Sequence, residues 1–380
     1  MNWIKTSALL ILFFILTLKT VDFLFSFYSQ STDQRTVGIN RNVILKEHDP
    51  GHIASIVPDD NYLSKTETLE KKPYYVEIDE NGFIDNGNER SISNAEILIL
   101  FFGGSTTEAI FVPEKKRFTS VVERELSKSL KKNVITLNGG VSGNHSLHSL
   151  VNFIVKGLQL KPNFVVLMNT MNDLGSLRLT GSYFDAPVTR RLIQINERNQ
   201  KPVWYLFLKS VKDTLVPNLY AYFLPRLLTR FTKNETDEWR GYRNGIRSYS
   251  EFYSSYKASI LSFVSVAKAW GVTPILMTQF NRVNEKDKLF RKSFKKVATP
   301  GNYDAEILQY VSAYNKFNQI KRDIAKAENI PLIDLDRLVP STSKYIYDSI
   351  HLNEVGSEYV GQIISDFFEK EIVKSSVTAD

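Results

Sequence analysis

The sequence predicts an α/β protein, a three-layer α/β/α sandwich built on a central parallel sheet. Three observations predict it. From residue 95 onward, short runs that are apolar throughout alternate with longer stretches of helical period. Runs without polar alternation are the mark of strands covered on both faces, as parallel strands are. The informative glycine, serine and asparagine clusters all fall just past such runs, where the strand ends of an open α/β sheet receive their ligands.

The first segment, residues 1–28, is a candidate transmembrane anchor. Thr6 to Leu18 carries no charge, Val21 to Tyr28 resumes the apolar character, and only Lys19 and Asp22 interrupt it. Trp3 to Tyr28 is long enough to span a bilayer, which takes about 20 residues, provided Lys19 snorkels to a headgroup. The run ends in Phe and Tyr, with no small-residue cleavage site, so an uncleaved signal anchor is expected. Lys5 and the free amine then place the N-terminus in the cytoplasm and the rest of the chain outside it, as a single-pass membrane protein. A buried or amphipathic core helix is the competing reading.

Residues 29–94 form a polar juxtamembrane extension. Within it YYVEIDENGFI, Tyr74 to Ile84, alternates around Asn81-Gly82 and predicts a small hairpin. The main domain is expected over 95–373. Its strands are EILILFF (Glu96–Phe102), VITLN (Val134–Asn138), FVVLMN (Phe164–Asn169), TPILMTQF (Thr273–Phe280) and IPLIDL (Ile330–Leu335). Helices are expected at Arg117–Leu130, Leu147–Leu158, Ser250–Trp270, Ala305–Glu328 and Glu354–Glu371. An insertion at about 174–249 breaks the rhythm with the aromatic runs VWYLFL and LYAYFLPRLL. Packing onto the main domain is its preferred reading, with a lid or membrane-facing surface as the other. Arg282 to Lys296 holds seven basic and two acidic residues, which reads as a solvated loop or an anion-attracting surface.

Composition excludes several classes. The 380 residues are 43% hydrophobic and 23% charged, an ordinary globular balance. Cysteine is absent, so no thiol nucleophile, disulfide framework or iron–sulfur cluster can be built. A net charge of +7 is mild for this length and implies no nucleic-acid binding.

Four clusters carry chemistry. Gly103-Gly104-Ser105-Thr106-Thr107-Glu108 follows the first strand, where the glycines permit a sharp turn and Ser105 heads the next helix as a candidate nucleophile. An N-cap serine is the plainer alternative, and a phosphate loop lacks its Gly-Lys-Ser/Thr. Asn138 to His145, NGGVSGNH, can expose backbone amides, and Asn172 after the third strand offers a side-chain amide. Near the C-terminus, Asp348 lies three residues before His351 and can orient its ring. His145 and His148 share one helix face but lack a third ligand, so they read as helix-start residues and no metal is expected.

In this order the clusters resemble the four blocks of the SGNH hydrolases, the GDSL-type esterases and lipases. The matches are GGST with Ser105, NGGVSG with Gly143, MND with Asn172, and DSIH with Asp348 and His351, across about Ala95 to Phe368. The resemblance implies the flavodoxin-like sandwich of that family and a Ser105–His351–Asp348 triad. It also implies an oxyanion hole made by the amides of Ser105 and Gly143 and the side chain of Asn172, with no cofactor. Two departures stand: Gly104 replaces the Asp of GDS, and Met171 precedes Asn172 where many relatives have Gly. The implied activity is removal of acyl groups, O-acetyl above all, from a cell-surface glycan or lipid. O-acyl transfer to a polysaccharide and non-catalytic glycan binding in envelope-polysaccharide assembly are the alternatives. Oligomeric state is open.

Overall fold

A computed structural model describes residues 2–26, 43–87, 92–185, 191–195, 203–216, 249–295, 298 and 301–377. The chain forms two compact units, one of Met1–Ile44 with Gln194–Gly241 and one of Leu45–Ile193 with Tyr242–Asp380.

In the first unit, residues Asn2–Ser26 form one helix and Val203–Leu215 another. The Lys19 ammonium donates to the carbonyl of Thr214. Among the described residues no helix is long and apolar enough to cross a membrane, so the transmembrane helix expected over 1–28 is not borne out. The physical reason lies in the sequence. The uncharged run Thr6–Leu18 is 13 residues, about 20 Å of helix against a hydrocarbon core of about 30 Å. Lys19, which would have to snorkel, is turned to Thr214 instead. Leu9, Leu10, Phe13 and Phe14 are exposed. The second aromatic run of the insertion, 219–228, lies outside the described residues.

The second unit holds the sandwich. Its extension pairs strand β1 (Ile53–Ile56) antiparallel with β2 (Tyr74–Glu77), Ile56 opposite Tyr74. The turn expected within 74–84 forms a short antiparallel pairing: the Asp79 amide donates to the Phe83 carbonyl and the Asp85 amide to the Glu77 carbonyl. The Asn81-Gly82 turn exists, closed by Asp79, whose carboxylate accepts from the amides of Asn81 and Phe83. The Ile78–Ile84 bridge lies between the two backbone bonds, while Tyr74–Glu77 pairs with β1. From Leu45 onward the extension is part of this unit: fully buried Arg117 donates to the carbonyls of Tyr75 and Asp85.

The main sheet comprises β3 (Ile97–Gly103), β4 (Val134–Gly140), β5 (Phe164–Met168), β6 (Thr273–Met277) and β7 (Leu332–Ile333), all parallel, in the order β4-β3-β5-β6-β7. Period-two alternation sorts its side chains into two cores. Leu98, Leu100, Phe102, Val165 and Leu167 face the helices Tyr249–Ala269 and Tyr303–Ala327, while Ile97, Ile99, Phe101, Val166 and Met168 face Phe118–Leu130 and Glu354–Val377. Each such buried side chain contributes roughly 1.5–3 kcal/mol, so both helical layers are fastened along the whole sheet. The predicted helix Leu147–Leu158 is shorter than expected. It runs as an α-helix over Ser146–Asn152, then widens into a π-turn at Phe153–Gly157 and tightens into a 3-10 turn at Leu158–Leu160.

Register fixes where the site lies. Gly103 pairs with Gly140 on one side and Met168 on the other, so β3, β4 and β5 end level. The strand order reverses beside β3, and the crevice at such a switch point is where open α/β sheets bind ligands.

Candidate active site

The chain leaves β3 into a single helical turn, Ser105–Glu108, with Gly104 at its N-cap. Gly104 has an extended backbone, so its role is not conformational freedom. A Cβ built there would lie 2.3 Å from Nδ2 of Asn172 and 3.0 Å from the carbonyl oxygen of Asn144. The Asn172 amide lies against the backbone beside Ser105, and a side chain at 104 would require that flexible amide tip to move.

Ser105 Oγ lies 2.8 Å from Nε2 of His351, whose Nδ1 lies 2.7 Å from Oδ2 of Asp348. The other Asp348 oxygen accepts from the backbone amides of Ile350 and His351 at 2.8 Å. Burial alone would push the Asp348 carboxyl up, but the His351 charge and these hydrogen bonds outweigh it and hold it below its ordinary value. Burial alone would likewise push His351 down. The Asp348 charge and hydrogen bond, with a smaller contribution from Glu108, raise it instead above the ordinary 6.5. Tyr347 stacks on the imidazole at 5.6 Å between centroids, and its hydroxyl lies 3.2 Å from that of Tyr62 in the extension.

The other two blocks converge on the same edge. Residues 141–144 make a tight turn in which the Asn144 amide donates to the Val141 carbonyl. Gly143, at φ +76°, occupies the position of that turn that demands left-handed backbone. Asn172 Nδ2 donates to the Asn144 carbonyl at 2.9 Å, which ties the third block to the second. All five residues expected from the sequence lie in one unit: Ser105, Gly143 and Asn172 just past strand ends, and Asp348 and His351 on a later loop that reaches Ser105.

Neighbours with no sequence signal complete the frame. Gln279, just past β6, donates to Thr106 Oγ1 and accepts from the Met171 amide, so it couples the two helix starts. Beneath them Asp173 is fully buried. One of its oxygens accepts from the Ser146 amide, the Ser146 hydroxyl and the Tyr183 hydroxyl. Burial outweighs those bonds and raises its pKa. Lys321, also buried, donates to Thr170 and to the Met277 carbonyl, and burial, opposed by Asp173, pushes it down to about 7. His145 and His148 cap the helix Ser146–Asn152 reciprocally, each ring nitrogen accepting from the other residue's amide, which matches the helix-start reading. In the basic stretch, Arg282 is not an open anion contact. It is buried and paired with Glu67 and Asp287, and its amide donates to the Ser349 carbonyl.

A doubly wound sandwich with a serine, a histidine and an aspartate in hydrogen-bonded series at its switch point has the make-up of a serine ester hydrolase. Residues 99–364 match the family described as GDSL-like lipase/acylhydrolase, and the chain belongs to that family; it is a carboxylic ester hydrolase. No curated protein matches the sequence. Among solved structures it is similar to a GDSL-like lipase from Bacteroides thetaiotaomicron, at 15% identity over 76% of this chain and 92% of that one, TM-score 0.38. It is also similar to an acetylxylan esterase from Geobacillus stearothermophilus (16% identity, 73% and 95% covered, TM-score 0.40). A lipase/acylhydrolase from Enterococcus faecalis is a third (15%, 72% and 96%, TM-score 0.41). Likenesses this distant fix neither a substrate nor a catalytic role.

Proposed function

We propose that the protein hydrolyses acyl esters through a Ser105–His351–Asp348 triad. The supporting observation is the unbroken series from Asp348 to His351 to Ser105, at 2.7 and 2.8 Å. Ser105 Oγ attacks the ester carbonyl carbon while His351 Nε2 takes its proton. The tetrahedral oxyanion is held by the amides of Ser105 and Gly143 and by the Asn172 side chain, one of whose N–H bonds is already spent on Asn144. Collapse expels the alcohol, which leaves with the proton from His351. Water, deprotonated by the same nitrogen, then releases the carboxylic acid and restores Ser105.

The acyl and the alcohol are narrower parts of the proposal: acetyl on a cell-surface or secreted glycan first, lipid acyl esters second. The reason for an envelope address is the exposed leucines and phenylalanines of the helix Asn2–Ser26, an apolar surface that calls for a covering partner, here taken to be lipid. Flotation of the full chain with vesicles tests that part, and loss of binding on removal of residues 1–28 is expected.

The test of the chemistry is hydrolysis of p-nitrophenyl acetate, butyrate and octanoate by the full chain, Ser105→Ala and His351→Ala. Activity in the wild type, highest on acetate and lost in both variants, is expected. Undiminished turnover by Ser105→Ala overturns the triad, and faster acyl transfer to an added glycan than to water replaces hydrolysis with transfer.

A further inference from the structure

Glu108 closes the turn that Ser105 opens, and it is buried at 4% exposure. A carboxylate so placed needs partners. Its Oε2 accepts a short hydrogen bond from the Ser142 hydroxyl, and its Oε1 lies 3.2 Å from Nε2 of His48. That same His48 nitrogen is 3.0 Å from the carbonyl oxygen of Gly140. Both neighbours of Nε2 are acceptors, so His48 carries its proton there and donates to one or both. Ser142 immediately precedes Gly143 in the turn 141–144. One carboxylate therefore touches the oxyanion turn on one side and the N-terminal extension on the other, while being covalently three residues from Ser105.

We propose that Glu108 is a positioning residue that locks the Gly143 turn to the Ser105 turn through Ser142, with His48 of the extension as the clamp behind it. This rests on the triad reading and names the part that the sequence blocks leave unassigned. An oxyanion donor acts only if held at the spot where charge develops; Val141 and Asn144 at the ends of the turn are buried and hydrogen-bonded, which leaves Ser142 and Gly143 between them as the part that the Glu108 bond holds. The Glu108–Ser142 bond supplies that constraint from the same backbone that carries the nucleophile, so nucleophile and oxyanion amide move as one piece. The Glu108 charge has a second effect, on the imidazole. The groups facing it are His48 from the extension, His351 from the C-terminal loop, Arg117 at the start of the helix Phe118–Leu130, and Tyr62. Toward His351 it favours the protonated ring, the state that must form as Ser105 attacks.

Two variants separate positioning from mere packing. Ser142→Ala removes the link and leaves the charge: a fall in kcat of roughly 10- to 100-fold is expected, with KM within about twofold and the acid limb of the pH–rate profile unmoved. Glu108→Gln keeps an acceptor for Ser142 and removes the charge: the acid limb is expected to move to lower pH, with a smaller loss of kcat. His48→Gln, which retains a donor toward Glu108, should stay closer to wild type than His48→Ala. Thermal melting of each variant accompanies the kinetics; if Glu108→Gln does not fold, Ser142→Ala and the His48 pair still decide. A wild type that turns over ester, joined by Ser142→Ala and both His48 variants with kcat within twofold of it, overturns this proposal alone. A wild type that neither turns over ester nor is labelled at Ser105 by a fluorophosphonate overturns the triad reading, and this one with it.

Discussion

The site is held together by two unlike frames. The loop Tyr347–His351, which handles the proton in the proposed mechanism, is braced from outside by groups of the extension and of the basic stretch: Tyr62 on Tyr347, the Glu67 amide on the Tyr347 carbonyl, and Arg282 on the Ile346 carbonyl. The residues that handle the oxyanion, 141–144 and 169–173, rest on a buried polar floor of Asp173, Ser146, Tyr183, Thr170, Asn318 and Lys321. The first frame is peripheral and partly charged, and it leaves the histidine free to gain and lose a proton. The second is sunk in the core, where an unmade hydrogen bond costs more. In the proposed mechanism, proton transfer is tuned by charge, whereas the oxyanion residues rest mainly on buried hydrogen bonds, with the Glu108–Ser142 link as their one tie to the extension's side.

The largest effects should come from the reacting groups of the proton frame. His351→Ala is expected to lower kcat/KM roughly 10⁴-fold or more, measured on p-nitrophenyl acetate. Next comes its tuning. Because His351 is raised above 6.5 and must be neutral to accept the Ser105 proton, activity should fall as pH drops through a midpoint above that value. In Asp348→Asn the raising charge is gone, so the midpoint should move down, while kcat falls roughly 10³- to 10⁴-fold through loss of the ring's orientation. An unmoved midpoint would erase the distinction between the two frames.

On the oxyanion side, Asn172→Ala should cost roughly 10²- to 10³-fold in kcat, with little change in KM. Beneath it, Asp173→Ala should act on folding more than on chemistry. It strips the partner from three buried donors and should cost about 3 kcal/mol in denaturant unfolding. Tyr62→Phe, at the edge of the proton frame, is the smallest case, at about 1 kcal/mol or less and with kcat within about twofold. If Tyr62→Phe hurts more than Asp173→Ala, the peripheral frame is the one the fold depends on.

Much of this was legible in the residues. The five sheet strands begin within three residues of their expected starts, because strands buried on both faces write themselves as unbroken apolar runs. Ser105, Gly143 and Asn172 were legible because each sits just beyond such a run, and Asp348 and His351 because of their three-residue spacing near the C-terminal helix. What escaped was set by long-range contact. Nothing around His48 signals that it meets Glu108, although Glu108 stands in plain view at the end of GGSTTE. The YYVEIDENGFI pattern announces its own turn but not that Tyr74–Glu77 also takes β1 as a partner, which is set by tertiary contact. Apolar density at the N-terminus suggested a membrane span, but density is not length, and Lys19 and Asp22 cut the run short. The widening at Phe153–Gly157 has no composition cue, since periodicity tolerates one inserted residue.

Gly104 and Asn172 have a consequence for how this site can be altered. A side chain at 104 would occupy the space that the Asn172 amide now fills, 2.3 Å from it. The two positions are therefore energetically coupled: a side chain at 104 makes the Asn172 tip move, and in a double-mutant cycle the effects of Gly104→Ala and Asn172→Ala should not add.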